Sequence, residues 1–193
     1  MPAASPRERM IQSAMLLIGE HGVEATSFSQ VLEHSRAPRG SIYHHFPGGK
    51  AQLVEEATRW GGDLIAAGLA EALEKEDPIA AVDGVADFWR RALRDTNYAV
   101  GCPVVAATVD GGRIPGAVAA AREAFERWAG LHAAILRRAG VPEGRAQAIG
   151  TLLVAAIEGA VVVARAEGSL RPLEQVVDEL HALLRSAVAS ATR

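Results

Sequence analysis

The side chains best suited to binding something are concentrated in residues 26–53, TSFSQVLEHSRAPRGSIYHHFPGGKAQL. At about 100° per residue on a helix, Ile42 and Phe46 share one side, while Gly40 and His44 point the other way with Ser41 and Tyr43 flanking them. The outward side is small and polar with a single aromatic hydroxyl. That suits a nucleic-acid major groove, which admits one helix and offers it hydrogen-bonding base edges. The N-terminal end of such a helix, around residues 38–40, attracts phosphate through its dipole, and Arg39 adds a full charge there. Across residues 35–59, Arg36, Arg39, Lys50 and Arg59 stand against Glu55 and Glu56, a local net of +2 in a chain whose formal net charge is -3. Coating of nucleic acid by bulk positive charge is therefore excluded, and any such binding must come from a local basic face.

Other chemistries find less support. His44 and His45 are adjacent, so they cannot converge on one metal as histidines four apart on a helix do, and no metal or cofactor is expected. Cys102 and His132 could form a nucleophile and base with Glu158 or Asp110 as orienter. No HExxH, GxSxG or phosphate-binding glycine loop accompanies them, and the chain reads as a non-enzyme. Cys102 is the single cysteine, which excludes an internal disulfide and a thiol-rich zinc site.

The elements that position residues 26–53 read as helices. Ser5-Pro6-Arg7-Glu8 is a capping box with proline at the first helical position, followed by an apolar face of Ile11, Ala14, Leu17 and Ile18, and Gly22 predicts a left-handed cap. Ser27-Phe28-Ser29-Gln30 is a second capping box, opening a helix of two turns that stops at Ser35. A third helix is expected from Pro38 to about His45, ended by Pro47-Gly48-Gly49. Three short helices with a tight turn before the last have the shape of a helix-turn-helix. Longer helices follow over residues 50–76 (interrupted at Gly61-Gly62, which read either as a site of close helix packing or as a flexible joint), 78–95, 114–139, 142–167 and 170–189. The fold class is all-α: a three-helix head at residues 1–49 on a larger helical bundle at 50–193, about nine helices in all.

With 193 residues, 49% hydrophobic and 22% charged, the chain can build a real core and is not a disordered one. The N-terminus lacks the apolar stretch of a signal peptide. The most apolar run, residues 151–164, is short for a membrane span and carries Glu158 in its middle, so it reads as a buried helix. The expectation is a soluble cytoplasmic protein with no membrane partner.

Residues 8–57 resemble the DNA-binding head of TetR-family transcriptional regulators. Thr26-Ser27 is similar to the start of that family's second helix, Gly40-Ser41-Ile42-Tyr43-His44-His45-Phe46 to its recognition helix, and Lys50 and Leu53 to the start of its fourth. The HHFPGGK junction and Gly101-Cys102-Pro103 resemble the LmrA/YxaF branch. The resemblance implies phosphate contacts by Ser27, Tyr43, His45 and Lys50, and base proximity for Arg39, Gly40, Ser41 and His44. Two departures stand out: Arg36 and Pro38 occupy positions where many members have Gly and Ser, and the Pro-Gly-Gly junction is one residue longer than the shorter form. The function expected is a transcriptional regulator, a homodimeric repressor binding a palindromic double-stranded DNA operator and released by a small-molecule effector. The alternative is a helical small-molecule or protein-binding module without operator binding.

The last two expected helices carry a wide apolar stripe, with Leu170, Leu173, Val176, Val177, Leu180, Leu183, Leu184 and Val188 on the second. It reads as a two-fold interface between chains, with intramolecular core as the alternative. In the family, the interior of the C-terminal bundle holds an inducer pocket. The residues expected to line it here are Trp60, Phe88, Trp89, Tyr98, Cys102, Thr108, Phe125, Trp128 and His132, which core packing would explain equally well.

Overall fold

The computed structural model describes residues 4–38, 40 and 42–191. Among these residues there are nine α-helices and no strand: α1 Pro6–His21, α2 Phe28–Ser35, α3 Ile42–His45, α4 Gly49–Lys75, α5 Pro78–Asp95, α6 Pro103–Val109, α7 Pro115–Arg138, α8 Glu143–Glu167 and α9 Arg171–Ala191.

Both expected capping boxes form. Ser5 Oγ accepts from the Glu8 N–H at 3.2 Å and the Ser5 N–H donates to Glu8 Oε2 at 2.7 Å. Ser27 Oγ accepts from the Gln30 N–H at 3.3 Å and the Ser27 N–H donates to Gln30 Oε1 at 2.8 Å. Each box satisfies two N–H groups that the first turn would otherwise leave unpaired.

Four expectations need correction. Gly22 ends α1 with φ 86° and ψ 170°, a positive-φ conformation that favours glycine but is not the left-handed helical one. The third helix starts at Ile42, because Gly40, a poor α-helix former, sits in a 3₁₀ turn and leaves only four residues before the Pro47-Gly48 stop. α4 runs unbroken through Gly61 and Gly62. A Cβ at Gly61 would lie 2.7 Å from Pro103 Cγ and one at Gly62 would lie 2.8 Å from Ala124 Cβ, so these glycines permit close packing. Residues 151–164 are helical but not wholly buried: only 39% of the most apolar window of α8 is buried. By length and composition alone α8 could cross a membrane, but its inner side, including Ile149, Leu153, Ile157 and Val161, is packed as core.

The chain forms two compact units. The first comprises the described residues up to Asp63 with Val100–Ala124, and the second Leu64–Ala99 with Phe125–Arg193 up to its last described residue. In the first, Met10, Ile18, Val31, Ile42, Phe46 and Leu53 are buried together, and the Arg7 guanidinium stands 5.3 Å above the Phe46 ring. α6, which hydrophobic spacing did not reveal, is fastened to α1 and to the turn after it. The Gly101 N–H donates to the Gly19 carbonyl at 2.9 Å, and Asp110 Oδ2 accepts from the Val23 N–H at 2.8 Å. Gly19 has no room for a side chain against the Gly101 carbonyl. In the second unit, α5, α8 and α9 pack around Val82, Trp89, Leu93, Leu153, Leu173 and Leu184. Arg90 on α5 donates to both carboxylate oxygens of Glu174 on α9, at 3.0 and 2.6 Å. That bidentate pair holds the Glu174 carboxyl below the usual carboxylate range.

Candidate nucleic-acid interface

α2 and α3 meet through Phe28 and Tyr43, which line one surface groove. Ile42 and Phe46 are sunk in the core at 1% and 0% exposure, while Tyr43 between them is 70% exposed. Two buried anchors four residues apart thus fix which way the short helix faces. The Tyr43 ring meets Phe28 of α2 edge-on, with centroids 5.6 Å apart, so the aromatic body is supported while the ring stays accessible. His44 is exposed and His45 half-buried, their rings edge to face at 5.3 Å. Gly40 is exposed, with nothing within 4 Å of where a Cβ would stand. A duplex edge could approach the backbone there without a side chain in the way.

Ser27 is exposed at the N-cap of α2, where its hydroxyl also donates to Gln30 Oε1 at 2.7 Å. Lys50 donates its Nζ to the Glu24 carbonyl at 3.0 Å, which holds the ammonium beside the turn preceding α2. Arg39 and Ser41 lie outside the described residues. Beside Tyr43, an open groove is lined by Phe28, Ser29, Leu32, Glu33, Arg36 and Ile42.

The residues expected around a small molecule are divided between the two units. Trp60, Cys102 and Thr108 belong to the first. Trp60 is half-buried, Cys102 is buried as the N-cap of α6, and Thr108 is exposed with its hydroxyl donating to the Val104 carbonyl at 3.0 Å. Phe88, Trp89, Tyr98, Phe125, Trp128 and His132 belong to the second. Phe88 meets Trp89 edge-on at 5.2 Å, and Phe125 meets Trp128 at 5.4 Å. Trp89 is 2% exposed and its Nε1 has no hydrogen-bond partner. His132 is 3% exposed, and burial pushes its imidazole down to about 4, so it is neutral at pH 7. Tyr98 is half-buried, and Phe125 lines an apolar groove of about 290 Å³ with Ala129, Thr151, Val154, Ala155 and Glu158.

Sequence reasoning did not single out Asp110 as the acceptor for the turn before α2, nor the part Asp77 plays in capping α5 through the Ile79 and Ala80 N–H groups at 2.9 and 3.2 Å. Asp77 before Pro78 carried a readable signal, an N-cap residue followed by proline. Asp110 carried none.

Comparison with known proteins places these features in company. Residues 10–57 match the model of the tetR family of bacterial regulatory proteins, and residues 78–179 match that of the LmrA/YxaF-like transcriptional regulator C-terminal domain. The chain is 40% identical over 194 residues to an uncharacterized HTH-type transcriptional regulator of Mycobacterium tuberculosis, covering 97% of this chain and 98% of that one. It is 29% identical to the HTH-type transcriptional regulator LmrA of Bacillus subtilis, covering 96% of this chain and 100% of that protein. The fold is similar to the crystal structure of a TetR transcriptional regulator from Legionella pneumophila, with a TM-score of 0.80, 22% identity and coverage of 95% of this chain and 99% of that one.

Proposed function

Since the chain belongs to the TetR family of transcriptional regulators, and so acts in DNA-binding regulation, we propose that it is a homodimeric repressor of a palindromic operator, released by a small-molecule effector. The observation that carries this reading is the division of α3 into buried Ile42 and Phe46 and a polar outer side bearing exposed Tyr43 and His44. Residues 1–49, together with Lys50 just beyond them, supply the DNA contacts in this reading, and the rest of 50–193 the dimer and effector functions. Ser27, Tyr43, His45 and Lys50 meet phosphates. Arg39, Gly40, Ser41 and His44 approach bases. Two such helices about 34–36 Å apart read two half-sites on one face of the duplex.

The dimer forms through α8 and α9. On α8, the exposed residues Leu152, Ala155, Gly159, Val162, Val163 and Ala166 fall on one side of the helix, an uncharged strip with Leu152, Val162 and Val163 at 48%, 53% and 46% exposure. An uncharged apolar strip of this length facing water on a single chain is the mark of an interface, and a two-fold axis lets the same strip cover itself. For the effector, Phe88, Trp89, Tyr98, Phe125, Trp128 and His132 of the second unit offer an aromatic, largely uncharged environment. An effector that prefers a head spacing unable to reach adjacent grooves releases the operator, each tenfold loss of DNA binding requiring about 1.4 kcal/mol of differential affinity. A compact dimer seated on a promoter blocks polymerase, and the setting is the bacterial cytoplasm.

A band-shift assay with the DNA upstream of the protein's own gene tests this. The expected result is a sequence-specific complex that Tyr43→Ala loses. Equal binding by the variant across sequences and salt concentrations would remove α3 from the interface.

A further inference from the structure

The turn of the helix-turn-helix holds a cation whose side chain the fold does not use. Arg36 ends α2 in the left-handed helical conformation, φ 52° and ψ 36°. That conformation crowds the Cβ of any L-residue and is free of cost only for glycine. What the fold needs at this position is backbone alone. The Arg36 N–H reaches the Glu33 carbonyl at 3.2 Å and the next N–H, of Ala37, reaches the Leu32 carbonyl at 3.2 Å, bonds that glycine would make as well. A strained non-glycine residue whose side chain contributes nothing to its own helix end points to a role beyond the fold.

The other described cations of the head are all engaged within the fold. Arg7 is bound to Glu56, Arg9 to the Ser35 and Ala4 carbonyls, Arg59 to Glu55 and Glu123, and Lys50 to the Glu24 carbonyl. Among the described cations of residues 4–63, Arg36 alone has an exposed side chain with no such bond. Glu33, which lines the same groove, forms no ion pair with it. That groove also contains Tyr43 and Phe28, so the guanidinium stands on the surface that presents the exposed phenol.

We propose that Arg36 is a DNA-backbone contact: its guanidinium binds a phosphate of the operator duplex next to the one met by Tyr43, and the strained turn is retained to place it there. This rests on the assignment of α2 and α3 to DNA. A guanidinium suits the task because its planar donors match phosphate oxygens in pairs and its charge persists at any working pH. The contact is to the backbone, so it raises affinity for all sequences alike and adds to the salt dependence rather than to base discrimination.

The test measures duplex binding by fluorescence anisotropy against salt, on the protein's own upstream DNA and a scrambled duplex, together with the melting temperature. The full chain is compared with Arg36→Gly, Arg36→Gln and Tyr43→Ala. Arg36→Gly is expected to melt no lower than the parent, because the turn is relieved, yet to bind about ten-fold more weakly. The slope of log affinity against log salt should flatten by about one unit per bound chain. Arg36→Gln keeps the strained turn and removes the charge, and it should show the same loss. Unchanged affinity and slope in both variants, while Tyr43→Ala is impaired, would overturn the role of Arg36 and leave the head's DNA assignment standing. Loss in Arg36→Gly but not in Arg36→Gln would trace the effect to the backbone and overturn it too. A parent protein that fails to distinguish its own upstream DNA from scrambled duplex would remove both readings at once.

Discussion

Tyr43 divides its labour between its ring and its hydroxyl. The ring leans on Phe28 at 5.6 Å, and the side chain is 70% exposed. Tyr43→Phe keeps the ring contact and removes the hydroxyl. Its unfolding midpoint in urea should match the parent's, while duplex affinity falls about ten-fold, at the lower end of the ~1.5–3 kcal/mol range for hydrogen bonds to charged groups. His132 makes a prediction of the opposite kind, on stability rather than binding. Burial lowers its pKa from 6.5 to about 4, so between these values the unfolded chain takes up a proton that the folded chain refuses. Stability is then independent of His132 above about pH 6.5 and declines as pH falls toward 4, by up to ~3 kcal/mol. Denaturation curves at pH 7.5, 6 and 5 should show this acid-side loss in the parent and a shallower one in His132→Gln; parallel losses would contradict it. At this scale much was legible: a 100° step places Phe46 inside and Tyr43 outside with no further information. The left-handed turn at Arg36 and the Lys50 bond to the Glu24 carbonyl were not, since each depends on where a neighbouring turn lies in space rather than on spacing along the chain.

Among the elements, α6 has an importance out of proportion to its seven residues. It is bonded to α1 at its start, Gly101 to Gly19, and to the turn before α2 at its end, Asp110 to Val23. The turn that leads into α2 therefore takes the acceptor for its Val23 N–H from a carboxylate 87 positions away. Asp110→Ala leaves the Val23 N–H without that acceptor in a partly buried place, at a cost of about 1–3 kcal/mol. The expected readouts are a lower urea midpoint and faster amide exchange in residues 22–27. Unchanged exchange there would show that the bond does not hold the turn. Hydrophobic periodicity found the long helices to within a few residues but not α6, because seven residues between glycines are too few to establish a period. The same limit affected α3, whose start was read at Pro38 although Gly40 lies in a 3₁₀ turn. Gly61 and Gly62 could be read from sequence as a break or as a packing site, and only the positions of Pro103 and Ala124 decide between them.

For the molecule as a whole, the two ends of the proposed activity lie on different compact units. The head belongs to the first, and the uncharged strip of α8 belongs to the second. Replacing Val162 and Leu152 together by Glu puts charge into the strip without touching the core side of α8. The double variant should sediment as a single chain and keep its helical content, and its operator affinity should fall by orders of magnitude because two heads no longer bind as one ligand. Sequence suggested a two-fold interface on the last two helices from their apolar stripe. It could not separate the part of α8 that the chain's own core consumes from the part left facing water, which requires burial residue by residue. Presentation of a polar α3 twice to one duplex by paired chains is read out by sedimentation velocity of the protein with its own upstream duplex. The expected result is a complex of two chains per duplex that scrambling either half of the palindrome abolishes. A complex of one chain per duplex, or one indifferent to scrambling, would contradict it.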